Sequence, residues 1–170
     1  MIIRLIGATF IICGCGFMGF KLAADHIKQI GYLKQLLLAL DHLYSELQYR
    51  LSPLPELCRQ ASSRTKGVLS VFFIMLTKEL EAQIAPDVER CVSAALYRCK
   101  GIPDELFRLL ELLGQSLGRF DLEGQLNGLC VVKSECEQVI EKLSKNNDLR
   151  IRNYKTLALC AGAALAILFI

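Results

Sequence analysis

The chain has 170 residues, 53% of them hydrophobic and 22% charged, with eight Cys, four Pro and no Trp. Its formal charge of +3, from 20 basic and 17 acidic side chains, is too even for a nucleic-acid binder working by bulk charge, and it excludes an acidic tail protein. The length fits one domain with short extras, and no Gly/Ser tract marks a flexible linker.

A mean hydropathy of +0.38 is high for a soluble domain, and the excess sits at the two ends. Leu5 to Phe20 carry no charge, between Arg4 and Lys21. As a helix this run spans about 24 Å, close to the ~30 Å of a bilayer core, and Arg4 can snorkel. Thr156 to Ile170 are again uncharged and span about 22 Å. Burying two such segments as core helices needs a larger protein around them. The expectation is a membrane anchor over 1–20, a helical middle over 21–155 and a membrane helix over 156–170. A cleaved signal fits poorly, because no small-x-small site precedes a polar start. An outward-facing lipoprotein attached through Cys15 is the remaining alternative for this end.

Lys21, Lys28 and Lys34 follow the first run, and Lys142, Lys145, Arg150, Arg152 and Lys155 precede the second. Basic flanks stay cytoplasmic, which places the middle inside the cell. The cysteines agree. They lie scattered at 13, 15, 58, 91, 99, 130, 136 and 160, without a CxxC pair, as reduced thiols of a cytoplasmic core do.

The middle reads as a succession of amphipathic helices. Ile27, Ile30, Leu33, Leu37, Leu40, Leu43 and Leu47 recur at helical spacing with no Pro before Arg50. Ser52 is expected to cap a short second helix, with Pro53 in its first turn and Leu54, Leu57 and Ala61 inward. Gly67 opens a third helix with Leu69, Phe72, Phe73, Leu76, Leu80 and Ile84. Pro86-Asp87 begins a fourth, carrying Val88, Cys91, Val92, Ala95 and Cys99, and Gly101 ends it. Pro103-Asp104-Glu105 places acids at the start of a fifth, where the helix dipole favours them. Gly118 closes the fifth, and Asp121 caps a sixth that carries Leu122, Leu126, Leu129, Val132, Cys136, Val139, Ile140 and Leu143. The sixth continues through Asn146-Asn147 toward the terminal apolar run. The fold class expected is all-α, an antiparallel bundle of about six helices flanked by the two membrane helices.

The chemistry available is sparse. The chain lacks a phosphate-binding Gly loop, GxSxG and HExxH, and has only His26 and His42. Asp41, His42 and Glu46 share neighbouring turns, but a bundle metal site needs Glu-x-x-His repeated on facing helices. They are expected to form a polar patch, so no metal and no cofactor is assigned. Cys91 and Cys99 lie about 12 Å apart along a helix, too far for a disulfide. Ala158, Gly162 and Ala166 make a stripe of small residues where another membrane helix can approach closely, or else simply an Ala-rich span.

Leu33-Lys34-Gln35-Leu36, Leu43-Tyr44-Ser45-Glu46-Leu47-Gln48-Tyr49 and Ser52-Pro53-Leu54 resemble the stage III sporulation protein AB family. So do Leu113-Gly114-Gln115-Ser116-Leu117-Gly118-Arg119-Phe120-Asp121 and Gln125. Gly124 early in the sixth helix, and Asn146-Asn147 later in it, depart from the expected run of helix formers. The resemblance implies a fold like the cytoplasmic domain of the inner-membrane platform proteins of type II secretion and type IV pilus systems. It implies a non-enzymatic subunit of a secretion-like channel complex in endospore formation, in the mother-cell membrane around the forespore. The implied partners are the ATPase-like stage III sporulation protein AA, other membrane subunits and lipid, with no nucleic acid; self-association stays open. The family positions carried over are Glu46, Tyr49, Asp121 and Gln125 as a partner surface, and Pro53, Leu117 and Gly118 as helix-junction residues. The competing reading is a membrane-anchored thiol or metal enzyme using the cysteines.

Overall fold

The computed structural model describes residues 27–50, 52–82, 87–117 and 121–169, with side chains as far as 145. Six helices and no strand occur among them: α1 (27–49), α2 (Leu54–Arg64), α3 (Val68–Ala82), α4 (Val88–Arg98), α5 (Asp104–Ser116) and α6 (Leu122–Phe169). Contacts divide the chain into one unit of 31–140 and another that takes 1–30 with 141–170.

The 31–140 unit is a bundle whose core follows the apolar periodicity. Leu33, Leu36, Leu40, Leu43 and Leu47 of α1 are buried, as are Leu57 and Ala61 of α2 and Leu69, Phe72, Phe73 and Leu76 of α3. Cys91, Val92, Ala95 and Leu96 of α4 join them, with Leu106, Leu109, Leu110 and Leu113 of α5 and Leu129, Val132, Cys136 and Val139 of α6. Each fully buried Leu or Phe contributes about 1.5–3 kcal/mol relative to exposure.

Polar contacts give the helix directions. His42 Nε2 lies 2.9 Å from Gln60 Oε1 and Ser52 Oγ donates to Glu46 Oε2 at 3.3 Å, so α1 and α2 run antiparallel. Arg59 pairs with Glu81, and Ser70 Oγ donates to the Ser62 carbonyl at 2.9 Å, which sets α2 against α3 likewise. Between α1 and α6, Lys133 Nζ bonds Asp41 Oδ1 at 2.7 Å and Cys136 Sγ bonds the Leu33 carbonyl at 3.4 Å, again antiparallel. Two glycines permit close approach. A methyl at Gly114 would lie 2.8 Å from Val92 Cβ, and one at Gly128 would lie 2.7 Å from Ser116 Cβ. Gly67, at φ +64°, makes the turn into α3 with the Tyr32 ring against it.

Two sequence expectations need correction. Pro53, not Ser52, occupies the N-cap of α2, and Pro55 is the proline of its first turn. The Ser52 hydroxyl turns back to Glu46 instead, so the helix start rests on the fixed φ of Pro53 and on its carbonyl, which accepts from Glu56 and Leu57. Leu122 of α6 is 40% exposed rather than inward, because the buried stripe of that helix begins at Leu129.

Of the membrane segments expected, 1–20 lies outside the described residues. The 156–169 run is the helical continuation of α6. At about 21 Å it is shorter than a bilayer core, and no helix among the described residues is long and apolar enough to cross a membrane. Ala158, Gly162 and Ala166 fall on this stretch, beyond the described side chains.

Candidate docking end of the bundle

Two junctions, α1 to α2 and α5 to α6, hold the residues singled out above. At the first, the Glu46 side chain is only 12% exposed. One of its oxygens accepts from Ser52 Oγ and the other lies 3.5 Å from Arg50 Nη1. A carboxylate with both oxygens engaged fixes the angle at which α1 leaves for α2. Tyr49, one turn on, is 78% exposed. A large ring left in water at the end of a helix is a feature that partner surfaces exploit, since it offers contact area with few rotatable bonds.

At the second junction Leu117 is buried and its N–H bonds the Leu113 carbonyl at 3.1 Å, closing α5. Gly118 lies outside the described residues. Asp121 Oδ1 accepts from the Gly124 N–H at 3.0 Å, and the Asp121 carbonyl accepts from the Gln125 N–H at 3.0 Å. Asp121 is therefore the N-cap expected of it, which explains how Gly124 is tolerated in the first turn: its amide is the capped donor. Gln125 is half-buried.

The α1–α6 register brings the two junctions to one end. Asp41 faces Lys133, and Leu40, Asp41 and Tyr44 share a cleft of about 140 Å³ with Leu129, Cys130 and Lys133. Followed about 12 Å further along α1 and back along α6, this antiparallel register brings Tyr49 opposite the start of α6. Glu46, Tyr49, Pro53, Leu117, Asp121 and Gln125 thus gather at the end where α1 finishes and α6 begins. The cleft is well below the ~300 Å³ of small-molecule pockets.

The remaining polar and thiol groups serve the bundle. Asp41, His42 and Glu46 take three different partners, Lys133, Gln60 and Ser52, and among the described residues no group of three or more His, Cys, Asp or Glu could hold a metal ion. The Asp41 carboxylate, by hydrogen bond and charge, raises the Lys133 pKa. Burial pushes the Cys58 thiol up to about 12 and that of Cys136 to about 11, and it raises Cys91 and Cys99 as well. Among the cysteines whose side chains are described, only Cys130 is exposed. The α1–α6 pairing that creates this end was not readable in the sequence, because it depends on contacts between residues 92 apart.

Known proteins agree with this architecture. The comparison with curated proteins gave no match. A solved structure titled stage III sporulation protein AB is similar, with a TM-score of 0.63 at 18% identity, covering 71% of this chain and 97% of that one; at that identity the likeness is one of fold. The family model of stage III sporulation protein AB matches residues 4–170. A match over that span takes in the helical middle and both apolar ends, and the chain belongs to the stage III sporulation protein AB family.

Proposed function

We propose that this chain is a non-enzymatic platform subunit of a secretion-like channel complex in endospore formation. Its apolar ends hold it at the mother-cell membrane around the forespore, and its helical unit faces the mother-cell cytoplasm. The junction end docks the ATPase-like stage III sporulation protein AA, and the terminal segments pack beside other membrane subunits. Family membership supports the sporulation role. The observation that carries the docking role is the gathering of Tyr49 with the α5–α6 junction at one end of the bundle. In sequence, residues 46–53 and 117–125 lie more than twenty residues from either apolar run.

The geometry divides the labour there. Glu46 and Asp121 hold backbone and junction, while Tyr49 has most of its ring in water and supplies the contact. The thiol-enzyme alternative gains little, since Cys58 and Cys136 remain protonated at neutral pH and a thiol is a poor nucleophile. The test is affinity capture of the full chain from sporulating cells. The ATPase-like protein should co-purify with the wild type, and Tyr49→Ala should reduce its recovery several-fold while the other membrane subunits remain. Equal recovery with Tyr49→Ala removes this end as the docking site, and no recovery with the wild type removes the scaffold reading.

A further inference from the structure

The cations that precede the final apolar run are not among the residues gathered at the two junctions. They lie on one uninterrupted helix, because α6 continues through this stretch to Phe169. The five of them, Lys142, Lys145, Arg150, Arg152 and Lys155, are not equivalent. Lys145 Nζ lies 2.7 Å from Glu141 Oε1, an exposed pair one helical turn apart that compensates the lysine charge. Between 146 and 155, by contrast, three cations stand against the single acid Asp148.

Position along the helix separates them further. Arg150 to Lys155 takes up about 7.5 Å of helix, so all three lie within roughly one Debye length of Thr156 at physiological salt. Lys142 is about 20 Å from the same point, more than two Debye lengths. The run they border measures about 21 Å, less than the bilayer core, and no described helix is long and apolar enough to cross. A short apolar helix of this kind gains attachment when its flanking cations lie in the headgroup layer, where each Lys or Arg attracts anionic lipid.

We infer that Arg150, Arg152 and Lys155 form a cationic collar that recruits anionic lipid headgroups where the terminal apolar run of α6 begins. The collar rests on the membrane attachment proposed above and adds to it a lipid class and the residues that select it. Lys142 and Lys145 take no part.

The test uses the full chain in vesicles of equal parts phosphatidylcholine and phosphatidylglycerol, with a trace of either lipid spin-labelled. Carbonate extraction is run alongside. The wild type should resist extraction and restrict spin-labelled phosphatidylglycerol about three- to fivefold more than phosphatidylcholine. That preference should shrink between about 0.1 M and 1 M salt as screening shortens. The Arg150→Gln/Arg152→Gln/Lys155→Gln variant should lose most of that preference, and Lys142→Gln/Lys145→Gln should retain it. A carbonate-resistant wild type with no preference, or a triple variant that keeps it, overturns the collar and leaves membrane attachment standing. Release of the wild type by carbonate overturns the attachment, and the collar falls with it.

Discussion

Glu46 and Tyr49 sit three residues apart on α1 and do different work. Glu46→Ala would strip the acceptor from Ser52 and Arg50, and should lower stability by about 1 kcal/mol, measured by thermal unfolding of the purified full chain. Tyr49→Ala removes an exposed ring that packs in no core position, and should leave stability within about 0.5 kcal/mol. Cys58 offers a pH test with a definite sign. Its pKa is raised from 9.0 to about 12 by burial, so the folded chain keeps a proton that the unfolded chain gives up. The stability this provides is complete below pH 9 and is lost as pH climbs toward about 12. Cys136, raised to about 11, adds to the loss over a narrower window. Cys58→Ala should flatten the decline above pH 9; an identical alkaline profile would show that burial of this thiol does not set it.

Among the elements, helix existence was legible from spacing, and junction chemistry only partly so. The three- and four-residue recurrence of Leu from Leu33 to Leu47, and from Leu106 to Leu113, predicts α1 and α5 because one stripe of each had to be buried. Asp121 and the Asp104-Glu105 pair sit at helix starts for the dipole and capping reasons expected. Asn146-Asn147 do not interrupt α6, since an Asn costs a helix only a few tenths of a kcal/mol, far less than Pro. The second helix began one residue later than Ser52 capping would have it, because Pro53 takes the N-cap while the Ser52 hydroxyl is turned away to donate to Glu46. Antiparallel packing of chain neighbours follows from the short connections, but the pairing of α1 with α6 and the close contact of α5 with α6 were not legible. Nothing in the local sequence distinguishes Gly31, beside which a methyl would meet nothing within 4 Å, from Gly128, where it would meet Ser116 Cβ at 2.7 Å and Cα at 3.3 Å. The two should respond with opposite signs. Gly31→Ala should stabilise by up to about 1 kcal/mol through helix propensity. Gly128→Ala must part α5 from α6 and should cost about 1–3 kcal/mol despite the same propensity gain. Chemical denaturation of both variants decides it, and stabilisation by both would contradict the close α5–α6 contact.

For the whole molecule, sequence pattern reached the architecture while tertiary contact supplied the site. The apolar ends, the basic flank and the helical middle are all local features, and the family match spans them together. The gathering of Tyr49, Pro53, Leu117, Asp121 and Gln125 required the α1–α6 register, which no window of sequence contains. Docking of a cytoplasmic ATPase-like partner at that end requires the 31–140 unit to face the cytoplasm. Cys130, exposed on α6, reports its side directly. The measurement is labelling by a membrane-impermeant maleimide in protoplasts of vegetative cells producing the full chain, with Cys130→Ala as the reference. Label that depends on Cys130 should appear only after the protoplasts are permeabilised. Cys130-dependent label on intact protoplasts would put the bundle outside, where the partner is not, and would contradict the account.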